Sequence, residues 1–306
     1  PIKDKTYEAD LEALQVERES AWDIEWSLSD HGEAGGLHGH MAYASGRFED
    51  WVVEALPRRF LQLLEAVLAT PGAPLAELPL VDATERERLA QWHATATPYP
   101  EAGTLDSLVA APCRTRGSAP AVEANGECIS YAELGRRVDW LAARLAAAGA
   151  GPGTRVALAL EPSAGLVVAL LAVLRTGAAC VPLDPGYPAA RLAFMLEDAA
   201  PCLVLVQGPP AFDTRGVHCL DIAGLAWPAD DAEVPAVVGR AGPDDAACIL
   251  YTSGSTGQPK GAITVHRTAV NRVAWMWRAY GFGADDAFCL RTSINFIDSL
   301  WEIFGA

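Results

Sequence analysis

Between residues 129 and 206, short apolar runs of strand length alternate with segments of helix length, and this rhythm leaves few folds open. Ile129-Ser130-Tyr131-Ala132-Glu133-Leu134 opens a helix whose Leu134, Val138, Leu141 and Leu145 share one face, and Gly149 ends it. Residues 155–160 read as an apolar strand. Residues 163–176 are almost wholly apolar and predict a buried helix, stopped by Gly177. A strand at 178–183, a turn at 184–188, a helix at 189–199 and a strand at 202–206 follow. Strands spaced by helices of this length predict βαβ units, hence an α/β fold with a parallel sheet covered on both faces.

The segment that carries chemistry is Tyr251-Thr252-Ser253-Gly254-Ser255-Thr256-Gly257-Gln258-Pro259-Lys260-Gly261, between the apolar runs 246–250 and 262–265. Glycines let a backbone turn sharply and approach a ligand closely. Hydroxyls, successive backbone N–H groups and one lysine suit phosphate oxygens. A flexible loop can share this composition, but the fixed order, the flanking strand and the terminal Pro-Lys-Gly favour a triphosphate-binding loop. It is not the Walker pattern, because Gly254 and Gly257 stand too close together and Gly261 follows Lys260 where Ser or Thr is required.

Charge narrows the partners. With 23 basic against 39 acidic residues the chain carries a net charge of −16, which argues against nucleic acid and makes any triphosphate site a local positive patch. Hydrophobic content of 51% supplies an ample core. Seven cysteines at 113, 128, 180, 202, 219, 248 and 289 lack Cys-x-x-Cys spacing, and Cys180, Cys248 and Cys289 sit in apolar runs. They read as reduced, buried thiols of a cytoplasmic protein. No signal peptide or long apolar span is visible, so no membrane association is expected. The chain opens on Pro1 and ends on Phe304-Gly305-Ala306 in mid-element, which reads as a piece of something longer.

Residues 1–82 form a separate block. Trp22, Ile24, Trp26 and Leu28 alternate onto one strand face, 37–43 is the expected hairpin partner, and 51–69 carries Val52, Leu56, Phe60, Leu63, Leu64, Val67 and Leu68 at helical spacing. His38 and His40 at i, i+2 without a third ligand read as a solvated face, so no metal site is assigned. Asp82 or Thr84 caps a short helix ending near Trp92, and the proline-bearing stretch 95–103 is extended. The expected division is 1–82, a linker at 83–103, and 104–306.

The 251–261 segment closely resembles the phosphate-binding loop of the adenylate-forming superfamily, in the form found in nonribosomal peptide synthetase adenylation domains. Ile129-Ser130-Tyr131-Ala132-Glu133-Leu134 resembles that family's Leu-Thr-Tyr-x-Glu-Leu, and Leu174-Arg175-Thr176-Gly177-Ala178-Ala179-Cys180-Val181-Pro182-Leu183-Asp184-Pro185 resembles its Leu-Lys-Ala-Gly-x-Ala-Tyr-Val-Pro-Leu-Asp-Pro. The resemblance covers essentially everything after residue 100. The first block resembles the α+β C-terminal end of a condensation domain, with Gly46-Arg47-Phe48-Glu49-Asp50 as its turn before the helix. That domain's His-His-x-x-x-Asp-Gly motif is absent, so condensation activity is not expected here.

What the resemblance implies for substrate lies near the end. Phe296-Ile297-Asp298-Ser299-Leu300-Trp301-Glu302-Ile303-Phe304-Gly305 is similar to Phe-Asp-x-Ser-x-x-Glu-Ile-Phe-Gly, in which the Asp grips the substrate α-ammonium. Here Ile297 takes the Asp position and Asp298 follows it. An isoleucine cannot pair with an ammonium, and burying an unpaired charge is costly. The displaced Asp298, with Trp301 three residues on, is similar to family members that select β-amino acids, so β-alanine or a close relative is expected. Amine-free aryl, hydroxy or keto acids come second and ordinary α-amino acids third.

The reaction implied is attack of a carboxylate on the α-phosphorus of ATP, with Mg2+ bridging phosphate oxygens. By resemblance Thr252, Ser253, Ser255, Thr256 and Lys260 hold the β- and γ-phosphates, Gly254 and Gly257 give close approach, Phe296 is an aromatic gate, and Asp298 and Trp301 line the substrate pocket. No catalytic residue is assigned within the chain. The family's Mg2+-binding Glu, ribose-binding Asp and catalytic Lys are expected beyond Ala306, as is the carrier protein whose phosphopantetheine accepts the acyl group. The chain by itself is therefore expected not to turn over, and a structural condensation–adenylation junction is the competing reading.

Overall fold

The computed structural model describes residues 2–7, 15–17, 22–32, 36–229, 231–237, 239–253 and 258–306. The chain divides into two compact units, Pro1–Ala96 and Thr97–Ala306. In the first, β1 (Ile2–Tyr7), β2 (Gln15–Glu17), β3 (Ile24–Asp30) and β4 (Leu37–Ala44) form an antiparallel sheet ordered β2-β1-β4-β3. Register places Ile24 opposite Tyr43 and Trp26 opposite Met41, so their side chains share a face. Helix α1 (Asp50–Ala69) covers that face: Val53 is buried with Met41 and Tyr43, and Phe60 packs on Trp26 with ring centroids 4.9 Å apart. The strand starts at Ile24 rather than Trp22. Trp22, Ile24 and Leu28 stay exposed, because α1 reaches only the Trp26, Met41 and Tyr43 part of the face. Asp82 caps α2 (Ala83–His93), accepting the Glu85 N–H at 2.8 Å, and Arg59 of α1 donates to both Glu85 carboxylate oxygens.

The second unit opens with α3 (Leu105–Thr115), whose cap residue Thr104 exchanges hydrogen bonds with Ser107. A hairpin of β5 (Pro120–Ala124) and β6 (Glu127–Ser130) turns on Asn125 and Gly126, both at positive φ. Such a pair matches the twist of a two-residue hairpin. Then follow α4 (Tyr131–Ala147), β7 (Arg155–Ala159), α5 (Ala164–Thr176), β8 (Ala179–Pro182), α6 (Ala189–Ala199), β9 (Leu203–Val206), β10 (Cys219–Asp221), β11 (Ala246–Ser253), β12 (Pro259–Val265), α7 (His266–Tyr280) and α8 (Asp298–Phe304). Six strands form one sheet in the order β10-β9-β7-β8-β11-β12, parallel from β10 to β11, with β12 added antiparallel at the margin.

Alternation sorts the side chains of this sheet onto two cores. Val156, Leu158, Cys180, Leu203, Leu205, Cys248 and Leu250 join α3, α4, α5, α7 and α8 on one face. Ala157, Ala159, Val181, Leu183, Val204, Val206, Ile249 and Tyr251 meet Leu192, Met195 and Leu196 of α6 on the other. Helix α5 lies so deep that every residue but Gly165 and Val167 is buried. Gly177 ends it in the left-handed conformation at φ 86°, with Ser163 capping its start.

One polar cluster lies among these apolar layers. Arg175 of α5 donates from Nε to Asp106 at 2.6 Å and from a terminal nitrogen to Asp139, joining α3, α4 and α5. The fully buried His266 accepts the Leu105 N–H on Nδ1 at 3.2 Å, and its Nε2 has no partner among the described residues. Burial pushes its pKa below the ordinary histidine value, outweighing the nearby Asp106 and Asp245 carboxylates.

The strand-like side chains of 286–291 do not make a strand, and the expectation of buried cysteines is corrected in part. The N–H groups of Arg291 and Thr292 donate to Glu302 at 3.0 and 2.9 Å instead of joining a ladder. Cys289 lies in that segment and is exposed, as are Cys128 and Cys202, while Cys180 and Cys248 are buried; all seven thiols are free. Among the described residues no helix is long and apolar enough to cross a membrane.

Candidate functional site

Strand β11 carries the site out of the core. Its residues from Ala247 to Tyr251 are buried, and Thr252 and Ser253 are exposed. Antiparallel pairing sets Tyr251 opposite Gly261, Thr252 opposite Lys260 and Ser253 opposite Pro259. Two of the expected phosphate-binding hydroxyls and the expected ammonium therefore share adjoining rungs, and the Thr252 hydroxyl donates to the Lys260 carbonyl at 3.5 Å. Gly254, Ser255, Thr256 and Gly257 lie outside the described residues. Lys260 is exposed, makes no ion pair among the described residues, and is the one lysine of the Thr97–Ala306 unit, where every other fixed cation is an arginine. A compact ammonium on a flexible stem across from the Thr252 hydroxyl, with Ser253 on the next rung, supplies donors of the kind a polyphosphate takes.

The base of this margin is fixed from below. The Tyr251 hydroxyl donates to Asp198 of α6 at 2.6 Å, and burial together with that neighbouring carboxylate pushes the phenol pKa up. The ring passes under Gly261, where an added Cβ would lie 3.0 Å from Ile249 Cγ2 and 3.3 Å from Tyr251 Cζ. Any other residue at 261 would require the Ile249 and Tyr251 side chains to give way.

Helix α8 presents the second group of residues. Leu300 and Phe304 pack into the same apolar core as Cys248 and Leu250 of β11. The Ser299 hydroxyl, on a fully buried residue, donates to the Phe296 carbonyl at 2.7 Å. Glu302 accepts from the Arg291 and Thr292 N–H groups and from the Thr292 hydroxyl at 2.8 Å. Burial pushes its carboxyl up, but these hydrogen bonds outweigh burial and hold it below the usual range. On this support Phe296 is 61% exposed and Ile297 44%. Asp298 is exposed, with an oxygen 3.7 Å from an Arg272 guanidinium nitrogen of α7. Trp301 is half-buried against the core and meets Phe288 edge-on at 5.9 Å. Phe296 and Asp298 thus face outward, while Trp301 is the inner member of the set.

Three contributors escaped the sequence reading. Arg272, opposite Asp298, stands 26 positions away from it, beyond the reach of local spacing. Asp198 meets Tyr251 only because α6 and β11 share a core. The Arg175 cluster likewise joins positions far apart in the chain. Among the described residues no group of three or more His, Cys, Asp or Glu side chains could hold a metal ion.

Residues 109–306 match the family described as AMP-binding enzyme. The chain is 34% identical over 301 residues to a linear gramicidin synthase of Brevibacillus parabrevis, covering 96% of this chain and 6% of that protein. It is 34% identical over 312 residues to surfactin synthase subunit 1 of Bacillus subtilis strain 168, covering 99% of this chain and 9% of that one. Among solved structures it superposes on the nonribosomal peptide synthetase FmoA3 in its AMPPNP-bound form with a TM-score of 0.79 and 27% identity, over 95% of this chain and 31% of that one. The chain therefore spans under a third of FmoA3 and under a tenth of either curated relative.

Proposed function

Since the chain belongs to the AMP-binding enzyme family, we propose that residues 104–306 are the N-terminal part of a nonribosomal peptide synthetase adenylation domain. Residues 1–82 are then the end of a condensation domain and 83–103 the linker. The observation that carries this reading is the set of Thr252, Ser253 and Lys260 on paired rungs at the exposed end of a buried strand, in a chain that matches the family over 109–306. The AMPPNP-bound form of its structural neighbour FmoA3 supports a nucleotide there.

The complete domain activates an amino acid. A substrate carboxylate oxygen bonds to the α-phosphorus of ATP, the bond from that phosphorus to the bridging oxygen breaks, and pyrophosphate leaves with the electron pair. Positioning and charge stabilisation carry such a step. Lys260, Thr252 and Ser253, with Ser255, Thr256 and the backbone at Gly254 and Gly257, hold the β- and γ-phosphates. Mg2+ neutralises phosphate charge when bound; the described residues supply no carboxylate cluster of their own for it. Phe296 stands beside the acyl group. The aminoacyl-adenylate passes to the phosphopantetheine thiol of a carrier domain in the same synthetase.

For substrate we infer a β-amino acid, β-alanine first, with Asp298 pairing its ammonium and Trp301 closing the wall. The outward-facing Asp298 carboxylate supports this. One observation favours a second reading: Arg272 already neutralises Asp298, so an amine-free acid would leave no charge unpaired. ATP–pyrophosphate exchange by the full-length synthetase, with β-alanine, larger β-amino acids, α-amino acids and aryl acids in parallel, separates the two. Exchange led by β-amino acids and lost in Asp298→Ala supports the anchor, whereas exchange led by α-amino or amine-free acids removes it.

A further inference from the structure

Helix α7 carries a cation next to the anchor that the reading above leaves without a task. The Arg272 guanidinium lies over the ring of Trp275, one turn along the same helix, 4.9 Å from its centroid. Stacking of this kind holds a guanidinium in place without using its N–H groups. One nitrogen stands 3.7 Å from Asp298 Oδ1, and among the described residues Arg272 makes no hydrogen bond. The two side chains are 47% and 60% exposed, so the pair is a charge contact that exchanges readily rather than a locked bridge.

We propose that Arg272 is a positioning residue for substrate selection: it is the resident counter-ion of Asp298, which the substrate ammonium must replace. The proposal rests on Asp298 being the amine anchor. Two effects of opposite sign follow. An amine-bearing acid brings a like charge against the guanidinium and must displace it, so Arg272 weakens binding of that substrate. An amine-free acid leaves the Asp298–Arg272 pair intact and shuts in no unpaired carboxylate, so Arg272 makes that acid tolerable. Arg272 therefore narrows the gap between the two substrate classes.

The test is ATP–pyrophosphate exchange by the full-length synthetase, with β-alanine and with its desamino analogue propionate. Arg272→Met keeps an unbranched stem on Trp275 and removes the charge, Arg272→Lys keeps the charge, and each is also made in Asp298→Asn. Arg272→Met is expected to lower KM for β-alanine about two- to five-fold at unchanged kcat. The same variant should raise KM for propionate, and both shifts should shrink in added salt. Arg272→Lys should stay near wild type, and in Asp298→Asn the shifts caused by Arg272→Met should be smaller than with Asp298 in place, because only direct repulsion between guanidinium and ammonium is left. Equal shifts for both acids, or no shift for β-alanine, overturns the role of Arg272 and leaves the anchor standing. If Asp298→Asn itself leaves β-alanine exchange unchanged, or no amine-bearing acid supports exchange, the anchor falls and the proposal with it.

Discussion

The middle of the six-stranded sheet and its β11–β12 margin meet on neighbouring strands and treat polar groups in opposite ways. Around the middle strands charge is closed on itself, Arg175 of α5 being paired with Asp106 and Asp139, and at the buried foot of β12 His266 is kept neutral by burial. At the margin β12 is paired on one side only, with β11, and Thr252, Ser253 and Lys260 stand exposed, as does Asp298 on α8. The contrast teaches that the interior uses its polar groups to hold helices in place, whereas the margin rests on that rigidity and leaves its own exposed, as the proposed nucleotide role requires. Substitutions in the two regions should accordingly be read by different instruments.

The largest expected effect is in the middle. Arg175→Leu leaves two carboxylates without a partner and should cost about 3–5 kcal/mol in urea unfolding. A loss no larger than that of a surface substitution would erase the contrast. At the margin, Lys260→Ala should change stability by less than about 0.5 kcal/mol. It should nevertheless lower exchange by the full-length synthetase about 100-fold, as loss of one charge-stabilising donor does. A variant that unfolds instead would make Lys260 part of the framework.

Acid sharpens the comparison further. Because the folded His266 resists protonation, the unfolded chain takes up the proton first, and stability should fall as pH drops below about 6.5. The slope contributed by this one group is at most about 1.4 kcal/mol per pH unit, and it should be missing in His266→Gln when urea midpoints are compared between pH 7 and pH 5. The smallest effect lies at the seam between the regions. Tyr251→Phe removes one hydrogen bond to the exposed Asp198 and should cost about 1 kcal/mol, with exchange reduced only as far as β11 loosens.

Legibility in the sequence follows the same divide. Helices α4, α5 and α6 and strands β7, β8 and β9 were readable because each announces itself within a dozen residues, through apolar spacing and caps such as Ser163 and Gly177. The hairpin at Asn125-Gly126 carried a turn signal of the same local kind that went unread. What local spacing could not carry were pairings between distant elements: Arg175 with Asp106, Tyr251 with Asp198, Arg272 with Asp298. Residues 286–291 have strand-like side chains, but a strand also needs a neighbour, and Glu302 takes the N–H groups that a neighbour would have used. Of the candidate site, the residue types and their order were legible, while the charge standing opposite Asp298 was not.

The solitude of Lys260 has a practical side. Arginine side chains are inert to amine-directed acylating reagents, so the Thr97–Ala306 unit offers such a reagent a single side-chain target, on the very rung that faces Thr252. One added mass on the peptide containing Lys260 would report its free ammonium, and loss of that mass in the presence of nucleotide would test the proposed phosphate contact. Occupancy of the margin could then be titrated in the unaltered protein, without a mutation, a substrate or a turnover.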